Sequence, residues 1–114
     1  MKKSDGDRAR LLHILEAIQY IQSFTTGKGK SDIYDDPMLR FAIERQLEII
    51  GEAANHLSGE LKSARPEIEW RKIVAFRNFV VHEYFGIDLE LVWDIVSNKI
   101  PPLETTVSEL LSDQ

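Results

Sequence analysis

The sequence predicts an all-α fold, an antiparallel bundle of four to five helices. Three observations carry this: apolar residues recur three and four apart over long stretches, no run alternates with period two, and no hairpin signal appears. Helix starts and stops are also punctuated by Asp-Pro, Gly and Pro-Pro at sensible intervals.

From Asp7 to Phe24, Leu11, Leu15, Ile18 and Ile21 form one stripe, widened by Leu12 and Ile14, while Arg10, Glu16 and Gln22 fall elsewhere. This is an amphipathic helix ending at Thr25-Thr26-Gly27, and the polar run to Asp36 reads as an exposed loop. Asp36-Pro37 then opens a long helix: aspartate caps it, and proline at the first position lacks an N–H that would have no partner there anyway. Its apolar set is Leu39, Ala42, Ile43, Leu47, Ile50, Ala54 and Leu57, with Arg40 and Glu44 as an i,i+4 pair on the polar side. Gly51, Ala53 and Ala54 are small enough to let another helix approach, against a propensity cost of about 1 kcal/mol for the glycine.

Ser58 to Arg65 reads as a short helical turn broken by Pro66. A third long helix runs from Glu67 or Trp70 to about His82 or Tyr84. Trp70, Ile73, Val74, Phe76, Val80 and Val81 make more than half its circumference apolar, so it is expected to be buried on more than one side. Gly86 ends it and Asp88 caps the next, which carries Leu89, Val92, Trp93, Val96 and Ile100 and is stopped by Pro101-Pro102. Leu103, Val107, Leu110 and Leu111 form a last short helix. No repeat or second domain shows; residues 1–114 read as one domain, with residues 1–6 a flexible tail.

Composition narrows the function classes. Hydrophobic residues make up 43% and charged residues 29% of the 114, a balance that folds. Without cysteine there is no disulfide, thiolate zinc site or cysteine nucleophile. Asp5, Asp7, Arg8 and Arg10 stand where a signal peptide would be apolar, and no window reaches the roughly 18 apolar residues of a membrane span. A cytoplasmic protein without membrane association is expected. The net charge of −5 opposes broad binding to nucleic acid, so any such site must be local.

Of the three histidines, His13 and His56 read as surface or half-buried positions. His82 differs in its company: Arg77, Asn78 and His82 share one otherwise apolar helix, a desolvation cost that calls for a partner or a task. Cleaving an RNA backbone without metal requires a proton taken from the 2′-hydroxyl, one given to the 5′-oxygen, and support for a charged phosphorane. A histidine with an ordinary pKa near ~6.5 and an arginine with its planar fork suit those needs. On a regular helix Arg77 and His82 lie roughly 140° apart, while Arg77 and Tyr84 are within roughly 20°. A two-fold dimer through this helix would bring arginine and histidine of both chains to one cleft and gather Arg71 and Lys72 for RNA binding. The blander readings are an ion pair of Arg77 with Glu83 or Asp88 and a satisfied core histidine at His82. His82-Glu83 is no HExxH zinc motif, because position 86 is Gly86; no metal site or cofactor is expected, and Gly27 and Gly29 do not match a P-loop.

Arg77-Asn78-Phe79-Val80-Val81-His82-Glu83-Tyr84 resembles the R-N-x3-H-x-Y motif of HepT-type toxins of the HEPN superfamily. The likeness extends to Ile50-Gly51-Glu52-Ala53-Ala54, Leu57-Ser58, Pro66 to Trp70, Phe85-Gly86-Ile87-Asp88, Val92-Trp93 and Ile100-Pro101. The resemblance implies a homodimeric helical bundle and a metal-independent ribonuclease, with Arg77 and His82 catalytic and Asn78 supporting. It also implies an MntA-type minimal nucleotidyltransferase as antitoxin, which transfers AMP onto Tyr84. The alternative of another class is a non-catalytic helical subunit that docks onto a nucleotidyltransferase or binds a nucleotide.

Overall fold

The computed structural model describes residues 5–78 and 89–113. Every regular element among them is helical, as the spacing predicted: α1 (Asp5–Thr25), α2 (Lys30–Asp35), α3 (Pro37–Asn55), α4 (Gly59–Ala64), α5 (Trp70–Ala75), α6 (Leu89–Asp94) and α7 (Ile100–Ser112). A 3-10 turn, Phe76–Asn78, extends α5, and a π-helical segment, Ile95–Lys99, joins α6 to α7. None of these helices is long and apolar enough to cross a membrane.

Two long helices make the frame. α1 begins at Asp5, inside the stretch expected as a tail, and buries Leu11, Ile14, Ala17, Ile18 and Ile21. The stripe therefore runs through Ile14, and Leu12, expected to widen it, is 45% exposed. α3 starts as predicted, with the Asp36 carboxylate accepting from the backbone N–H of Met38 and Leu39 at 3.1 and 3.2 Å. It buries Ile43, Leu47, Ile50, Ala53 and Ala54 against α1. Glu44 is a correction: it is 2% exposed, not on the polar face, and the Arg40 guanidinium lies over the Phe41 ring and donates to the Ile33 carbonyl.

The directions follow from the polar ties. Near the start of α1, the Asp7 carboxylate accepts from Ser58 N–H (2.9 Å) and Ser58 Oγ (2.7 Å), just beyond the end of α3. Near the end of α1, Gln22 donates to Glu104 in the first turns of α7. α1 is thus antiparallel to both neighbours, and the same Ser58 hydroxyl caps α4 by accepting from Leu61 N–H.

Two further expectations are corrected. The run to Asp36 is not wholly a loop, because Lys30–Asp35 is helical and seats Ile33 at 1% exposure in the core. A single isoleucine among polar residues has no periodicity to read, so only tertiary burial reveals the turn. Nor do Pro101 and Pro102 stop the helix, since they occupy the opening positions of α7. In the π segment before them the Ile100 N–H donates to the Ile95 carbonyl, and this wider turn carries the chain into prolines whose missing N–H and fixed φ are tolerated at a helix start. Ile100, Leu103, Val107 and Leu110 then complete the core.

Candidate functional site

Gly51 decides where the start of the motif, at Arg77, lies. The end of α5 and its 3-10 turn cross α3 at this glycine. A Cβ placed there would meet the backbone nitrogen of Arg77, with the carbonyl oxygens of Val74 at 2.9 Å and Ile73 at 3.1 Å. Only a residue without a side chain permits this approach, which bears out the expectation that small residues on α3 admit a neighbour. Trp70, Ile73 and Phe76 anchor the segment on its apolar side, and the indole of Trp70 donates to the Arg65 carbonyl.

Arg77 and Asn78 are consequently held by backbone packing while their side chains stay exposed. The Arg77 guanidinium stands 3.9 Å from Glu52 of α3, whose other carboxylate oxygen contacts His56 Nε2 at 2.8 Å. It lines a cleft of about 290 Å³ together with Arg10 and His13 of α1 and Arg45, Glu48 and Glu52 of α3. Among the described residues, three guanidinium groups thus meet two carboxylates and an imidazole on one face.

Not all the residues singled out from sequence share that cleft. Lys72 lines a different cavity of about 390 Å³, beside Ile73, Phe76, Leu91 and Ile95. Its ammonium pairs with Glu69 at 3.0 Å, and Lys99 reaches the same carboxylate at 3.5 Å. Those two lysines, the hydrogen bond from Lys72 first, hold the Glu69 carboxyl below its ordinary range. Arg71 is exposed on α5. His82 and Tyr84, and the alternative partners Glu83 and Asp88, lie outside the described residues. The angular relation of Arg77 to His82 and Tyr84 therefore also lies outside the described residues, and Arg77 itself stands in the 3-10 turn Phe76–Asn78.

Sequence reasoning passed over Arg10, His13, Arg45, Glu48 and Glu52 as site residues. A signal existed: Arg45, Glu48 and Glu52 are spaced three and four apart, a polar stripe along α3, and Arg10 and His13 are spaced three apart on α1.

The family described as ribonuclease HepT-like matches residues 14–110. Among curated proteins, the chain is 38% identical over 110 residues to "Probable ribonuclease HepT" of Thermococcus cleftensis, covering 96% of this chain and 98% of that one. It is 36% identical over 107 residues to "Putative RNase MJ1380" of Methanocaldococcus jannaschii, covering 94% and 97%. It is 35% identical over 107 residues to "Putative RNase TTE0752" of Caldanaerobacter subterraneus, covering 94% and 96%. No solved structure matches the chain.

Proposed function

The chain belongs to the ribonuclease HepT-like family, and from that premise we propose that it is a metal-independent endoribonuclease, the toxin of a type VII toxin–antitoxin pair. The observation that best supports this reading is the Arg77 guanidinium, exposed at a polar cleft while its backbone is clamped over Gly51. A cation positioned in advance for a phosphate is what stabilisation of a phosphorane requires.

In the proposed reaction the 2′-oxygen attacks the adjacent phosphorus as its proton leaves, and the bond from phosphorus to the 5′-oxygen breaks as that oxygen gains a proton. His82 moves the protons, Arg77 stabilises the charge on the equatorial oxygens, and Asn78 supports the site. The active unit is a homodimer in which both copies contribute arginine and histidine to one pocket. The exposed Arg71 is a candidate contact to RNA phosphates outside it.

Control is proposed to come from an MntA-type nucleotidyltransferase that joins AMP from ATP to the hydroxyl of Tyr84. The added phosphodiester charge and purine would occupy the phosphate site and exclude substrate.

Purified protein is expected to cleave RNA in the presence of EDTA, and His82→Ala and Arg77→Ala are each expected to lower this by about 10²-fold or more. Undiminished cleavage by the double variant would overturn the assignment. Intact-mass measurement after coexpression with an MntA-type enzyme should show added AMP that Tyr84→Phe removes.

A further inference from the structure

Cations are not evenly engaged over this surface. Lys30 pairs with Glu90, Arg65 with Glu67 and Glu109, and Lys72 and Lys99 with Glu69. In the cleft beside Arg77, by contrast, arginines from α1, α3 and the 3-10 turn outnumber the carboxylates among the described residues. In a chain of net charge −5, that is a local surplus of the kind a polyanion needs.

We propose that Arg10, His13 and Arg45 form a phosphate-binding groove that grips the RNA strand beside the bond cut at Arg77. This extends the ribonuclease reading and rests on it. The residue types fit: guanidinium forks bind phosphate oxygens in pairs, and an imidazole N–H adds a further donor.

Two features specify a strand over a lone anion. Glu48 and Glu52 share the cleft, so a single small anion meets repulsion with each attraction. A strand engages several arginines at once and gains from their combination. Among the described residues, the lining contains no Phe, Tyr or Trp on which a base could stack. The groove therefore holds backbone, contributing affinity and register without reading sequence.

The test is binding of a short RNA oligonucleotide of randomised sequence, 2′-O-methylated throughout so that it cannot be cut, titrated by fluorescence anisotropy over a range of salt. Arg10→Gln/Arg45→Gln should weaken binding by about tenfold per arginine and reduce the slope of log Kd against log salt by about 1.4, the value for two single-strand phosphates. Arg45→Gln alone, at an exposed position, should carry about half of that slope change. Arg10→Lys/Arg45→Lys should recover the slope but only part of the affinity. Arg8→Gln, a matched loss of charge on an exposed part of α1 outside the cleft, should change neither.

Unaltered affinity and slope in Arg10→Gln/Arg45→Gln and in Arg45→Gln would overturn the groove, and cleavage assays on the same samples would show whether the nuclease stands without it. Arginine-dependent binding without any cleavage by the parent protein would sink the nuclease reading and leave the groove. AMP bound as tightly as the oligonucleotide, with the same loss in the variants, would replace the groove with a mononucleotide pocket and overturn the proposal.

Discussion

The two cavities near α5 use charge in opposite ways. In the larger one an apolar wall of Ile73, Phe76, Leu91 and Ile95 is rimmed by two lysines and three carboxylates, and Glu69 takes both lysines. In the smaller one, among the described residues, three arginines face two carboxylates, and Arg77 stands 3.9 Å from Glu52. Lysines matched to carboxylates on a surface contribute little beyond solubility and local order. Guanidinium groups in excess among the described residues, one of them on the backbone packed over Gly51, are what the proposed phosphate groove requires. The difference shows that the position of a cation in the fold matters more than its position in the sequence, since Lys72 and Arg77 are five residues apart.

If this contrast is sound, Arg77→Ala separates chemistry from folding more widely than any other single change. Cleavage should fall by about 10²- to 10³-fold, the range for losing one group that stabilises a transition-state charge. The urea-unfolding free energy should move by no more than about 0.5 kcal/mol, because the side chain is exposed. A large stability loss with proportionate loss of activity would make Arg77 a structural residue.

Gly51→Ala tests what clamps it. Helix propensity alone predicts a gain of about 1 kcal/mol, but contact of the new methyl with the main chain of the 3-10 turn should reverse the sign and cost up to about 3 kcal/mol. Cleavage measured well below the unfolding transition should fall as well, since Arg77 must shift. A stabilised alanine variant would show that the crossing is loose.

Lys72→Gln should leave cleavage as it is and alter stability by no more than about 0.5 kcal/mol. A loss matching that of the cleft arginines would erase the distinction between the two cavities.

The smallest effect concerns acid. Glu69, held by Lys72 and Lys99, and Glu90, held by the hydrogen bond from Lys30, have carboxyl pKa values below their ordinary 4.5. A depressed folded pKa adds stability that is complete above the ordinary carboxylate range and is lost as pH falls through the folded value. Urea midpoints should therefore drop gently across that acidic window, and Lys72→Gln should flatten the drop by the part of Glu69's share that Lys72, and not Lys99, supplies. An unchanged profile in Lys72→Gln would mean the pair is not formed in solution.

What could be read from the residues was whatever has a short-range cause. The cap at Asp36-Pro37, the core stripe of α1 around Leu11 and Ile18, and the glycine at the crossing each follow from local chemistry. α2 escaped notice because its burial depends on Ile33 alone, and Pro101-Pro102 misled because the turn that admits them precedes them. Arg77 was found through its neighbours in sequence. Arg10, His13 and Arg45 were missed as site residues because they lie more than thirty positions away and only the packing of α1, α3 and the 3-10 turn brings them to the same cleft.

The π segment between α6 and α7 leaves a mark on the chain's arithmetic. Buried positions run Val92, Ile95, Ile100, Leu103 and Val107, and one interval among the threes and fours is five. Such a segment amounts to a regular helix that has accepted one additional residue without rotating either flank off the core. Descendants of a common ancestor could thus differ by a single codon at this point and still superpose on both sides of it, so that a gap there records tolerated drift in length and not a change of architecture.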